Sequence, residues 1–298
     1  MEEIKSFIRG VNEITLPLVC GNYILNKLDN RIKAEEVIVF VERMYYDMCL
    51  KVLMENKYFN KKEGSLGGVK VLLREKEDFE SKTNIKILNT RKVCDSEYYH
   101  VLNVKQYLLA SDYTEDLRLF DYEKEMLNEH LSTMKQKVEE YKFLPVVKGE
   151  EKVVKKLYRE VIKTTLTTWD EEYPSYEMIE QDVINNELFC LKDEKNNIVG
   201  VCFISNKFED EESWKQTIKN PFRFARICSL PCLQGYGVAT KMLKEVIAYV
   251  KSLGCDGLRI SVYNKNASAL KLYDNFGFEK VGERFKYGFD FYLYELKF

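Results

Sequence analysis

The sequence predicts an α/β protein of two domains. Three observations lead there. A strand, a glycine loop and an amphipathic helix follow one another over residues 222–254. A strand and a capped helix follow over residues 258–278. The length of 298 residues suits two domains of ordinary size.

In the first unit, Phe222 to Leu230 alternates as a half-buried strand does, and Pro231 ends it because proline brings no N–H to a ladder. The loop reads Gln234-Gly-Tyr-Gly-Val-Ala239. Ala239, Met242, Leu243, Val246, Ile247 and Val250 then share one face of a helix, and Gly254 stands where a left-handed cap is expected. A helix N-terminus carries unpaired N–H donors and a partial positive charge, which makes it a seat for phosphate. Gly235 and Gly237 let the backbone approach such an anion closely. Neither a G-x-G-x-x-G fingerprint nor a G-K-[ST] triphosphate signature is present.

In the second unit, Leu258, Ile260 and Val262 alternate with Arg259 and Ser261. Asn266 can cap the next helix, which buries Ala269, Leu272, Tyr273 and Phe276 and stops at Gly277. Gln234 to Ala239 and Asn266 to Phe278 together resemble the GNAT superfamily of N-acetyltransferases. The first matches its acyl-CoA pyrophosphate loop, [RQ]-x-x-G-x-[GA], and the second its N-x-x-A-x-x-x-Y-x-x-x-G-F helix. The likeness extends outward. Residues 143–147 read as a strand, 152–165 as a helix, 169–174 as a loop and Ser175 as the start of a second helix. Strands at 188–191 and 198–205 flank a turn, and two more close the chain at 279–285 and 290–298. The resemblance therefore implies, for residues 143–298, the GNAT acyl-CoA-binding fold: a mixed central sheet in the order β-α-α-β-β-β-α-β-α-β-β. Residues 1–142 form a separate α+β domain of unknown function.

The resemblance also implies roles. Main-chain N–H groups of Gly235, Tyr236, Gly237, Val238, Ala239 and Thr240 would hold the pyrophosphate of acetyl-CoA, with Gln234 marking the start of that loop. The pantetheine arm would run along Ile227, Cys228, Ser229 and Leu230, with Asn266 and Ala269 reaching it from the next helix. Asn266 also reads as a plain cap. Tyr273, a phenol near ~10, would protonate the leaving thiolate, or else is a core tyrosine packed on Phe276 and Phe278. A general base is expected in the acidic loop, at Glu171 or Glu172, with Trp169 and Tyr173 as an acceptor wall. That loop and Glu209 to Glu212 would suit a cationic amine, although 209–212 reads first as a solvated charge run. The expected reaction is direct attack of an amine of an unidentified small molecule, peptide or protein on acetyl-CoA in a ternary complex. The alternative is a non-catalytic, acyl-CoA-responsive regulatory protein.

Composition narrows the classes. A formal charge of −2 argues against a nucleic-acid groove or an anionic membrane surface as partner, and no apolar run reaches the length of a membrane span. The start lacks the pattern of a signal peptide. Eight cysteines without a C-x-x-C pair read as small core residues in a reducing compartment, the cytoplasm, and His100 and His130 are too few for a histidine metal site, so no metal is expected.

The N-terminal half is less legible. Ile4, Phe7, Ile8, Val11, Ile14 and Leu18 have helical spacing. Val37 to Phe59 reads as one buried helix or as a strand and a helix. Gly64 to Gly68 reads as a loop, and 69–74 and 85–88 as strands. Leu127, Leu131, Met134, Val138 and Tyr141 form a stripe that packs on its own domain or, alternatively, on a second copy, leaving monomer and homodimer both open. No internal repeat stands out.

Overall fold

The computed structural model describes residues 2–12, 14, 17–20, 24–25, 36–46, 48–50, 59–60, 63–66, 69–83, 91–94, 98–114, 117–164, 167–207, 214 and 218–298. The chain divides into two compact units, Met1–Met134 and Lys135–Phe298.

The first unit holds α1 (Glu2–Asn12), β1 (Leu18–Cys20), β2 (Glu36–Val41), β3 (Phe59–Asn60), β4 (Glu63–Leu66), β5 (Val69–Glu75), α2 (Lys76–Thr83), β6 (Arg91–Cys94), β7 (Tyr98–Val101) and α3 (Val104–Ser111). Its seven-stranded sheet runs β3-β4-β5-β2-β1-β7-β6, with β2 and β5 parallel over Glu36↔Lys70 to Val41↔Glu75. Ile4, Phe7, Ile8 and Val11 of α1 pack with Val37, Val39, Val41, Val71 and Leu73 of the central strands. The stretch from Val37 opens as a strand, followed by helical residues at 43–46 and 48–50. Gly64, Ser65 and Leu66, expected in a loop, lie instead in β4, where pairing with β5 satisfies their backbone. The strand expected at 85–88 lies outside the described residues.

Helix α4 (Asp121–Glu139) contains the dividing point, and Leu127, Leu131, Val138 and Tyr141 of its apolar stripe are buried. The second unit continues with β8 (Lys142–Pro145), α5 (Glu151–Thr164), α6 (Tyr176–Ile184), β9 (Leu188–Lys192), β10 (Ile198–Ser205), β11 (Pro221–Ser229), α7 (Val238–Ser252), β12 (Gly257–Tyr263), α8 (Ala267–Asn275), β13 (Glu279–Lys286) and β14 (Phe289–Lys297). This is the element order that the resemblance implies. The sheet runs β13-β14-β12-β11-β10-β9-β8 and is mixed: β11 and β12 are parallel and their neighbours antiparallel.

Local chemistry sets these boundaries. Ser175 caps α6 by accepting from Met178 N at 3.1 Å. Helix α7 buries Val238, Met242, Leu243, Val246 and Val250. It ends with Cys255 N donating to Val250 O and Gly254 N to Lys251 O, and α8 ends the same way, from Phe278 N to Tyr273 O and Gly277 N to Asp274 O. These are Schellman closures, with a left-handed glycine at each. On one face of the sheet, Val154, Leu157, Tyr158 and Val161 of α5 and Ile179 and Val183 of α6 pack on Leu188, Cys190 and Val201. Across β12 and β14, Arg259 bonds the opposite Glu295 at 2.8 Å in a fully buried pair that pins the register. Among the described residues, no helix is long and apolar enough to cross a membrane.

Gly257 opens β12 where another strand comes close. A Cβ there would collide with Leu296 O and lie 2.7 Å from Ile218 Cδ1. Gly257→Ala is expected to cost about 1–3 kcal/mol, the range for overpacking a filled interior. Urea unfolding should show a lower midpoint with an unchanged slope.

Candidate functional site

The site begins where two parallel strands part. β11 and β12 pair only from Pro221↔Gly257 to Arg223↔Arg259. Beyond that point β11 continues to Ser229 on β10, and β12 continues to Tyr263 on β14. A crevice opens between them, at the carboxyl ends of the parallel pair, where open α/β sheets bind their ligands.

A bulge separates the strands. The β10–β11 register steps from Val201↔Cys228 to Phe203↔Ala225, so one extra residue of β11 is accommodated between those pairs. Arg226 lies there at φ +50, an uncommon conformation for a residue with a side chain. Its neighbours hold it. Arg226 Nη2 meets Asp182 Oδ2 of α6 at 2.6 Å, both side chains being more than nine-tenths buried. The guanidinium stacks over Phe203 at 4.4 Å. The Tyr158 hydroxyl of α5 donates to Arg226 O at 3.5 Å. Trp169 meets the Tyr158 ring edge-on at 5.3 Å, which ties the loop after α5 to the bulge.

Above the crevice lies the glycine loop. Gly235 and Gly237 take φ values of +88 and +96. Gly237 is the N-cap of α7 and has no side chain to cap it. The first helical bond runs from Lys241 N to Gly237 O, which leaves the N–H groups of Val238, Ala239 and Thr240 without intrahelical partners. Gln234, Ala239 and Thr240 are half-buried, Gly235 is exposed, and Tyr236 and Val238 are buried, so the loop reaches the surface. The second helix at the crevice differs. Asn266 caps α8 itself, its Oδ1 accepting from Ala269 N at 3.1 Å.

The remaining predicted residues are distributed as follows. Ile227, Cys228, Ser229 and Leu230 are half-buried along the departing strand. Burial pushes the Cys228 thiol well up, which makes it a poor nucleophile. Tyr273 is buried against Phe278 and Tyr294, and desolvation raises its phenol, so it stays protonated at neutral pH. Glu171 pairs with Arg159 at 2.5 Å, and Asp170 Oδ1 accepts from the N–H groups of Glu172 and Tyr173 at 2.9 and 2.8 Å, so this acid shapes its own turn. Glu172 and Tyr173 are exposed. Residues 209–212 lie outside the described residues.

Asp182 is the group that sequence reasoning missed. Burial pushes its carboxyl up to about 6, and Arg226 restrains that rise. An acid on a predominantly apolar helix turn was the available signal, since α6 buries Ile179, Asp182 and Val183 together.

Residues 155–278 match the family model described as Acetyltransferase (GNAT) family, and this stretch of the chain is a GNAT acetyltransferase segment. Among solved structures, a GNAT-family acetyltransferase of Streptococcus agalactiae is similar at 18% identity, covering 53% of this chain and 95% of that one, with a TM-score of 0.46. One of Listeria monocytogenes is similar at 18% identity, covering 53% and 95%, with a TM-score of 0.45. The yncA protein of Salmonella typhimurium, solved with its cofactor acetyl-CoA, is similar at 14% identity, covering 53% and 93%, with a TM-score of 0.43. No curated protein matches the chain.

The raised carboxyl of Asp182 has a signature in stability. Its folded value of about 6 lies above the ordinary one near ~4, so the native state binds this proton more tightly than the unfolded state. The stability it contributes is full below the unfolded value and is lost as pH rises towards 6. Urea unfolding across that window should show this decline, and Asp182→Asn should remove it.

Proposed function

We propose that the C-terminal unit is an acetyl-CoA-dependent N-acetyltransferase whose donor lies in the crevice between β11 and β12. The observation that carries this reading is the end of β11–β12 pairing at Arg223↔Arg259 beside the uncapped start of α7. The donor diphosphate sits at the N–H groups of Val238, Ala239 and Thr240, which have no intrahelical partner, with the helix dipole behind it. Alternate backbone groups of β11 point away from β10. They replace the missing β12 partner with the amides of the pantetheine arm, along Ile227 to Leu230.

The acceptor amine approaches beside Trp169 and Tyr173. It must reach the thioester with its lone pair free, so its ammonium gives up a proton first. Glu172 takes that proton through water, while Glu171, held by Arg159, keeps the loop in shape. Nitrogen attacks the carbonyl carbon, the C–S bond breaks, and the sulfur leaves with the electron pair. Backbone N–H groups of β11 stabilise the carbonyl oxygen as it gains charge. The Tyr273 phenol hands its proton to the departing thiolate and recovers one from the nitrogen side through solvent. This route needs no protein nucleophile, in keeping with the raised Cys228 thiol.

Two measurements test the reading. In calorimetry, the full chain should bind acetyl-CoA, and Gly237→Val should weaken binding by roughly tenfold or more, because a β-branched residue resists φ +96 and shifts the N–H groups. Absence of donor binding to the wild type would sink the proposal. In thiol-release assays, Tyr273→Phe should lower kcat by roughly 10²-fold with donor affinity kept. Unchanged turnover would remove the proton-donor role from Tyr273.

A further inference from the structure

We propose that the acceptor is a small amino acid, bearing both an amine and a carboxylate, and that Arg226 is the residue that selects it. This rests on the acetyl-transfer reading and adds the substrate class. Among the described residues, Nη1 of Arg226, Oγ of Ser261 and Oδ1 of Asn264 are buried with no hydrogen-bond partner. Arg226 lies on β11, Ser261 on β12, and Asn264 directly follows β12. All are beyond the last paired position, Arg223↔Arg259, where the strands have parted. Strand alternation puts Ser261 on the same face as Arg223 and Arg259. Arg223 and Arg226 both lie over the Phe203 ring.

A buried polar atom without a partner costs about 1–3 kcal/mol, and native interiors seldom keep one. Several around one crevice point to a bound molecule that completes them. Their chemistry is specific. A guanidinium nitrogen only donates, and its charge favours an anionic oxygen. An amide oxygen only accepts, and a hydroxyl does either. A carboxylate for Arg226 and an N–H-bearing group for Asn264 and Ser261 meet these needs together.

Charge points the same way. Asp182 neutralises Arg226, and Glu187 is taken up by Lys207 at 3.1 Å and Ser205 at 2.7 Å. Arg223 has no ion-pair partner among the described residues. Among the described residues, Arg223, Arg226 and Lys207 against Asp182 and Glu187 leave one positive charge in excess, which a carboxylate would balance and a purely cationic amine would not. A zwitterionic acceptor is proposed in place of the cationic one suggested by residues 170–172 and 209–212: Asp170 and Glu171 are occupied within their loop, Glu172 is assigned to the proton, and 209–212 lie outside the described residues.

The test follows thiol release by the full chain with acetyl-CoA and the common L-amino acids, each set against its carboxamide and its decarboxylated amine. At least one amino acid should exceed both partners in kcat/KM by roughly tenfold or more, the margin expected where a site is built to bond a polar group. Arg226→Met should collapse that ratio. A merely structural loss would lower both substrates alike, and the wild-type ratio stands even where the variant fails to fold. Asn264→Ala should raise KM for the amino acid and leave the acid-to-amide ratio in place. Amides or plain amines used as well as the acids, as expected if water alone fills the crevice, would overturn the inference, as would no use of any carboxylate-bearing amine. Acetyl-CoA calorimetry on the same samples separates the failures. Donor binding without acid preference removes this inference alone, and no donor binding removes both.

Discussion

Arg226 occupies φ +50 inside a strand, a backbone state that costs a residue with a side chain about 1–3 kcal/mol unless its surroundings enforce it. Three elements do so. Asp182 of α6 holds the guanidinium, Phe203 of β10 supports its plane, and Tyr158 of α5 bonds its carbonyl. Relaxing Arg226 to an ordinary strand conformation would undo the bulge at which β11 departs from β12. The parallel ladder could then continue past Arg259, and the crevice would close. A buried ion pair is weak evidence for net stability, because desolvation offsets much of the attraction. Here its contribution is positional: it fixes where the sheet splits.

The two helices that start at the crevice illustrate how one geometry yields two electrostatic outcomes. Both follow the carboxyl end of a parallel strand, so both bring their N-termini to the same opening. Helix α8 spends its first-turn donor on Asn266, whose side chain bonds Ala269 N. Helix α7 has glycine at the corresponding place, and its first-turn donors stay unpaired by the chain itself. A cap there would typically stabilise the helix by about 1 kcal/mol. Its absence, beside two left-handed glycines, keeps the stronger anion seat at α7 and leaves α8 a supporting part.

Much of this was legible in the sequence, because the relevant signals are local. Gly254 and Gly277 mark helix ends, Ser175 and Asn266 mark helix starts, apolar alternation marks β11 and β12, and apolar runs on either side of a turn mark β9 and β10. The loop at the head of α7 follows from glycines adjacent to an amphipathic pattern. The bulge was not legible. Phe222 to Leu230 alternates without a break on paper, and the extra residue shows only against β10. Nor could the Asp182–Arg226 pair be read, since its members are 44 positions apart and only folding brings them together. Gly64 to Leu66 misled for a related reason. Glycine favours loops intrinsically, yet pairing with β5 recruits this segment into a sheet.

The N-terminal unit has a parallel pair of its own, and its chemistry explains why the anion argument does not extend to it. Strand β5 runs straight into α2, with no glycine loop between them. The first turn of α2 carries Glu77 and Asp78, and Glu77 accepts from Arg43 N at 3.1 Å. Lys76 is taken by Glu42 at 3.0 Å and Arg43 by Glu75 at 2.6 Å. A polar cleft of about 240 Å³ does lie here, lined by Arg43, Tyr46, Arg74, Glu75 and Asp78. Its two guanidiniums face two carboxylates, so the lining is balanced in charge before any ligand arrives. An incoming phosphate would have to displace Glu77 or outcompete Glu75, at the cost of breaking existing charge-assisted bonds. The unmet main-chain donors of α7 demand no such exchange, so the acyl-CoA seat is proposed there and not at this cleft.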